Sequence, residues 1–205
     1  MATWSWCALT LIEVYDVIER GDAVFVAMEY ADGGSLADRI GPGGYGPARA
    51  NDSSRHARIV AEFLPVVDGV RHLHRHGIVH RDLKPQNILY VNDAPKVADL
   101  GIARRCKEST TGGGTPGYEA PGQMEHEHEP SEADDVYSLA LVLHEMFAGS
   151  DRLPDWSRQE RKLHRAIPPE LRSVFGKALA FDRNHRYRDA DEFGIALREF
   201  LATVK

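Results

Sequence analysis

One stretch, Ile78-Val79-His80-Arg81-Asp82-Leu83-Lys84-Pro85-Gln86-Asn87-Ile88-Leu89-Tyr90, constrains this chain more than any other. A short polar cluster sits between two apolar runs. Ile78-Val79 and Ile88-Leu89-Tyr90 read as short buried strands that hold the loop between them rigid. Within that loop Asp82, Lys84 and Asn87 offer a carboxylate, an ammonium and an amide within a few residues of one another.

Phosphoryl transfer asks for those groups: a carboxylate that accepts a hydroxyl proton, a lysine that steadies a phosphate and an amide that ligates magnesium. Three further motifs follow in chain order: Asp99-Leu100-Gly101, then Gly114-Thr115-Pro116-Gly117-Tyr118-Glu119-Ala120-Pro121, then Asp134-Asp135-Val136-Tyr137-Ser138-Leu139. In order and spacing the four resemble the catalytic loop, the metal-binding triplet, the end of the activation loop and the start of the central C-lobe helix of protein kinases. The lysine two residues after the aspartate is similar to the serine/threonine class. The tail from Ala178-Leu179-Ala180-Phe181-Asp182 to Phe193 resembles the bacterial members. The implied fold is α+β and protein-kinase-like. A mainly α-helical C-lobe would occupy residues 32–205, and residues 1–31 would be a two-stranded remnant of a truncated N-lobe sheet.

Residue by residue, the resemblance implies that Asp82 orients the substrate hydroxyl and takes its proton, that Lys84 partners the transferred phosphate, and that Asn87 and Asp99 ligate magnesium. Met28 falls at the gatekeeper position. The Glu29 carbonyl and the Ala31 amide would bond adenine, and Leu89 would form the floor beneath it. His80 would pack on Leu100, and Arg81 would pair with a phosphate on Ser109, Thr110 or Thr111. Composition alone reads that last segment as a flexible loop. Thr115 would bond the catalytic aspartate and lysine, and Asp135 would anchor the catalytic-loop backbone. The chain departs from the family at Gly122, where Ala-Pro-Glu is usual. Arg186, the buried arginine that this glutamate pairs with, is therefore expected to lack its partner, at about 3 to 5 kcal/mol, unless Glu119 substitutes.

The rest of the chain is read more coarsely. A strand is expected over Leu9 to Ile18, a turn at 19–22 and a second strand over Ala23 to Met28. Ser35 is a candidate N-cap. No Gly-x-Gly-x-x-Gly loop precedes these strands and no lysine follows in a Val-Ala-x-Lys context, so the resemblance supplies only part of an ATP cradle. The glycine-rich run Gly41 to Pro47 reads as a flexible loop. A helix is expected over 52–76, kinked at Pro65. Its His72, His74 and His76 read as core or surface histidines rather than ligands. Further helices are expected over Ser131 to Phe147 and near 156–166, 169–180 and 189–203.

Composition bounds the function. A net charge of -6 argues against a nucleic-acid partner or an anionic membrane surface. No apolar run is long enough for a membrane span, and the first residues lack the features of a signal peptide. Cys7 and Cys106 are too few for a disulfide framework, and a cytoplasmic setting is expected. The implied activity is transfer of the ATP γ-phosphate to protein serine or threonine hydroxyls. Its cofactors are ATP and Mg2+, and its partners are a protein substrate and an upstream segment or second chain that completes the N-lobe. Alone, the chain is expected to be nearly inactive. The alternative is a pseudokinase-like binding module or scaffold.

Overall fold

A computed structural model of the chain describes residues 10–21, 23–45, 53–100, 104–105, 115–123, 129–149 and 163–204. Its centre is helix α3, Glu132–Ala148, in which every residue from Ala133 onward is buried. A helix that is apolar nearly all round belongs inside a protein. Its first turn carries Glu132, Asp134 and Asp135, which suit the positive end of the helix dipole. Helix α2, Ser53–Arg75, lies against it, burying Ile59, Val60, Phe63, Val66, Val67, Val70 and Leu73 along one stripe and running unbroken past Pro65. Helix α5, Ala190–Thr203, packs on α2 and buries Phe193, Leu197 and Phe200. The carboxylate of Asp189 caps it, accepting from the amides of Asp191 and Glu192. The expected segment near 169–180 is a 3-10 turn, Pro169–Leu171, followed by α4, Arg172–Ala178. Of the segment near 156–166, residues up to 162 lie outside the described ones, and residues 163–166 are not helical.

Short strands place the loops on this helical base. β5, Ile78–Val79, pairs with β8, Arg104–Arg105, and β6, Ile88–Val91, pairs antiparallel with β7, Ala94–Val97. The two apolar runs around the catalytic loop are therefore strands, as the sequence implies. Ser35 caps the short helix α1, Leu36–Arg39, in a reciprocal bond with Asp38.

The glycine-rich run corrects the sequence reading in part. Ile40–Gly41 (β3) and Gly44–Tyr45 (β4) form a two-stranded hairpin around Pro42-Gly43, with Gly44 and Tyr45 buried. The hairpin sits against the C-terminal end of α3. A Cβ at Gly44, whose φ is +91°, would lie 2.7 Å from the carbonyl oxygens of Met146 and Phe147. Glycine composition reports backbone geometry here rather than mobility.

At the amino-terminal end β1, Val14–Arg20, and β2, Ala23–Met28, form an antiparallel hairpin. The first strand begins later than expected. Leu11 and Ile12 leave it to bury themselves beside β7, where Ile12 N–H donates to the Val97 carbonyl at 2.9 Å. Within the two strands every residue is exposed. The register puts Val17 opposite Val26 on one face and Ile18 opposite Phe25 on the other. Both faces are thus apolar, the pattern of a strand pair covered on both sides.

Candidate active site

The catalytic loop is fixed from beneath by one buried carboxylate. Asp135 on α3 is fully buried and accepts from the backbone amides of His80 at 2.8 Å and Arg81 at 2.9 Å, and from His74 Nε2 at 2.9 Å. The Ala190 amide donates to His74 Nδ1 at 3.1 Å, so Nε2 carries the proton that Asp135 accepts. One histidine thereby joins α2, α3 and α5. Burial pushes the Asp135 carboxyl up, but the hydrogen bond from His74 and the bond from the Arg81 amide outweigh it and hold it below its ordinary value. Arg81 takes a φ of +72°, rare for a residue with a side chain. His80 is buried, its Nδ1 accepting from the Asp82 amide and its Nε2 bonded to the Ala98 carbonyl at 2.9 Å. Leu100, expected to pack on His80, is 39 % exposed, and the bond from His80 goes to the Ala98 backbone.

Above that anchor four polar side chains close on one another. Asp82 Oδ2 receives Lys84 Nζ at 2.7 Å and Asn87 Nδ2 at 3.0 Å, while Asp82 Oδ1 receives the Thr115 hydroxyl at 2.6 Å. Lys84 Nζ also reaches Thr115 Oγ1 at 2.6 Å. Burial pushes the Asp82 carboxyl up, and the bonds from Lys84, Thr115 and Asn87 more than reverse it, holding the group below its ordinary value. An aspartate so held is ionised at neutral pH and can orient a hydroxyl. Glu119, in contrast, is raised by burial and then by the neighbouring charge of Asp82.

Asn87 spends its amide nitrogen on the Asp82 carbonyl at 2.8 Å and on the Asp82 carboxylate, which leaves its side-chain oxygen to act as a ligand. The Ala98 amide donates to the Asn87 carbonyl at 2.8 Å, so the residue before Asp99 is bonded directly to Asn87. Asp99 is exposed at a φ of +61°. A carboxylate and an amide oxygen are hard donors that fit magnesium.

On the side expected to hold adenine, Met28 is 40 % exposed, while Ala31 and Leu89 are half-buried. The Glu29 amide donates to the Glu13 carbonyl at 2.9 Å. Its carboxylate takes Lys96 Nζ at 2.6 and 2.8 Å and the Glu13 amide at 2.7 Å. Lys96, unremarked in the sequence reading, thus ties Glu29, the residue after β2, to β7. A cavity of about 660 Å³ lies elsewhere, between Pro130, Glu132 and Arg183, and contains none of Asp82, Lys84 or Asn87.

Arg186 overturns an expectation. It does not lack a partner: its guanidinium meets Asp134 Oδ1 at 3.1 Å and donates to the carbonyls of Ala133, Ala180 and Phe181. Asp134 fills the place expected to be empty, for which Glu119 was the one substitute the sequence offered, because the N-terminal turn of α3 sets its carboxylate directly beside the arginine. Gly122 has a φ of +89°, a backbone state that a glutamate would strain. The next residue, Gln123, is 5 % exposed; its Oε1 accepts from the Ala120 amide at 3.0 Å and its Nε2 donates to the Arg81 carbonyl at 3.1 Å. The adjacent pair Asp134-Asp135 was the available signal for the first. Nothing in the sequence marked Gln123. Ser109, Thr110 and Thr111, the expected phosphate positions, lie outside the described residues, as do Cys7 and Cys106.

Comparison with known proteins places these features in one family. The protein kinase domain family matches residues 6–200. Serine/threonine-protein kinase PknL of Mycobacterium tuberculosis is 32% identical over an alignment covering 91% of this chain and 49% of the relative. Serine/threonine-protein kinase ULK1 of Homo sapiens is 32% identical, with 89% of this chain and 19% of the relative covered. Serine/threonine-protein kinase PknB of Mycolicibacterium smegmatis is 32% identical, with 89% and 32% covered. The chain spans about half or less of the length of the curated relatives it matches.

Proposed function

The chain belongs to the protein kinase domain family, and from that premise we propose that it is the substrate-side part of a serine/threonine kinase that transfers the ATP γ-phosphate to protein hydroxyls. The observation that carries this reading is the closed junction of Asp82, Lys84, Thr115 and Asn87, fixed through Asp135 to the core. Asp82 orients the acceptor hydroxyl and takes its proton late in the transfer, and Lys84 offsets charge on the moving phosphate. Asn87 and Asp99 would hold magnesium, which supplies charge neutralisation on the phosphates. Met28, Glu29, Ala31 and Leu89 would line the adenine side. Arg81 would pair with a phosphate carried by Ser109, Thr110 or Thr111.

The exposed apolar hairpin β1–β2 supports a further part of the proposal: a glycine loop and phosphate-binding lysine come from another segment or chain that covers it. Without them the nucleotide lacks half its contacts, and because catalysis here is almost entirely positioning, these residues alone turn over negligibly. A cytoplasmic setting belongs to the same reading. Among the described residues no helix is long and apolar enough to cross a membrane.

A binding-only reading, a pseudokinase or scaffold, is favoured by the contrast between a formed substrate side and a bare nucleotide side. One assay separates the two. Purified chain is given Mg-ATP and a generic basic protein, with and without an added segment bearing the glycine loop and lysine. We expect negligible incorporation alone and transfer when complemented, reduced by about 10²- to 10⁴-fold in Asp82→Ala. Absence of transfer in the complemented form supports the scaffold. Transfer by the isolated chain that vanishes in Asp82→Ala overturns the expected inactivity.

A further inference from the structure

Among the described residues, side-chain hydrogen bonds join the catalytic loop to the segment 115–123 at two separate places. At one, Thr115 bonds Asp82 and Lys84. At the other, the side chain of Gln123 is inserted between the Ala120 amide and the Arg81 carbonyl. We propose that Gln123 is a positioning residue for the catalytic junction, holding the Arg81–Asp82 peptide so that the Asp82 carboxylate meets Lys84 and Thr115. This rests on the reading of Asp82 as the residue that orients the acceptor hydroxyl.

Arg81 has a left-handed backbone, a conformation that persists only where the surroundings over-determine it. Its N–H is held by Asp135 and its C=O by Gln123, so the two peptide groups flanking the strained residue are gripped from opposite sides. Gln123 is the only one of these two grips that comes from the substrate-side segment; Asp135 belongs to α3. An amide suits the place because it must accept at one end and donate at the other, which neither a carboxylate nor an ammonium does. The amide is buried, so water does not readily replace either bond. Glycine at 122, with its positive φ, sets the turn that carries Gln123. The ordering of the substrate-side segment is thereby transmitted to Asp82 through the backbone as well as through the Thr115 hydroxyl.

The lysine side chains provide the test. Lys84 Nζ is held by Asp82 and Thr115 at the junction, and Lys96 Nζ is held by Glu29 beyond the end of β2, where it serves as an internal reference. Ammonium resonances are recorded by ¹H–¹⁵N NMR on the full chain and on Gln123→Met and Gln123→Glu, together with amide exchange. Gln123→Met fills the space and makes neither bond. Gln123→Glu keeps an acceptor for Ala120 but turns a carboxylate oxygen toward the Arg81 carbonyl.

The expected result is loss of the ordered Lys84 signal in both variants with the Lys96 signal retained. The Arg81 and Asp82 amides should exchange at least about tenfold faster, and Ala120 should stay protected in Gln123→Glu alone. Persistence of the Lys84 signal in either folded variant overturns the proposal. So does its absence from the unaltered chain. Loss of both lysine signals in both variants would assign Gln123 to the general core, which also overturns it. The measurement involves no nucleotide and no turnover. Its failure leaves the phosphate-transfer reading standing, and failure of the transfer assay leaves the coupling to be judged on its own.

Discussion

The catalytic loop and the β1–β2 hairpin are both short, both close to the candidate active site, and built on opposite terms. In the loop, backbone and side-chain polar groups meet fixed partners: buried Asp135 below, buried Gln123 behind and half-buried Thr115 above. In the hairpin, Val17, Val24, Phe25 and Val26 stand 45 to 62 % exposed, and the strands are tied to the body chiefly through Glu29 and Lys96 and the backbone near Ile12 and Glu13. Order at the catalytic loop therefore comes from long-range polar anchors on a helical core together with its short flanking strands, and among the described residues the hairpin has no such anchors within its two strands. An isolated two-stranded hairpin is marginal in water, whereas a loop bonded to a buried helix inherits the stability of that helix.

The largest expected effect lies at the anchor. Asp135→Ala leaves two buried amides and His74 without their acceptor, and should destabilise the chain by about 3 to 5 kcal/mol in urea unfolding. A smaller loss would mean that the loop is not held from α3 as described. The acid limb sharpens the point. Asp135 has a folded pKa below its unfolded one, so its contribution is fully present above the unfolded value, near 4, and is lost as pH falls through the folded value. Asp135→Asn should flatten stability against pH in that range, while substitutions in the hairpin leave the curve unchanged.

Next comes the relocated ion pair. Asp134→Ala strands a buried guanidinium and should cost about 3 kcal/mol or more, whereas Glu119→Gln should change stability by less than about 0.5 kcal/mol. The reverse order would restore Glu119 as the partner of Arg186. Gly44→Ala should cost about 1 to 3 kcal/mol, because the new Cβ meets two α3 carbonyls at a positive φ. A mobile glycine-rich loop would tolerate it.

The smallest effect on stability belongs to the hairpin. Val17→Thr with Phe25→Thr should alter unfolding by less than about 0.5 kcal/mol, yet measurably reduce self-association in sedimentation, since it removes apolar surface from both faces. A large loss of stability would make the hairpin part of the core.

The contrast also explains what was legible in the sequence. The catalytic loop could be read because its residue types are dictated by chemistry and its flanking strands by apolar runs, so Asp82, Lys84, Asn87 and Thr115 meet where the motifs implied. Helices α2, α3 and α5 announced themselves by period and caps. Four features escaped. Asp134 and Gln123 make bonds set by tertiary approach, across 52 and 42 residues of chain; the adjacent acidic pair hints at the first, and no local pattern encodes the second. The Gly41–Tyr45 hairpin was hidden because glycine marks both mobile loops and tight turns. The first strand starts late because burying Leu11 and Ile12 beside Val97 outweighs extending an exposed ladder.

Residue-resolved amide hydrogen exchange on the chain without nucleotide tests the central claim most directly, that the substrate side of the site is fully formed while the nucleotide side awaits cover. Protection at His80 and Arg81 should match that of the α3 core, and amides of Val14–Arg20 and Ala23–Met28 should exchange at least about a hundredfold faster. Equal protection in the two regions, or a catalytic loop that exchanges as fast as the hairpin, would contradict it.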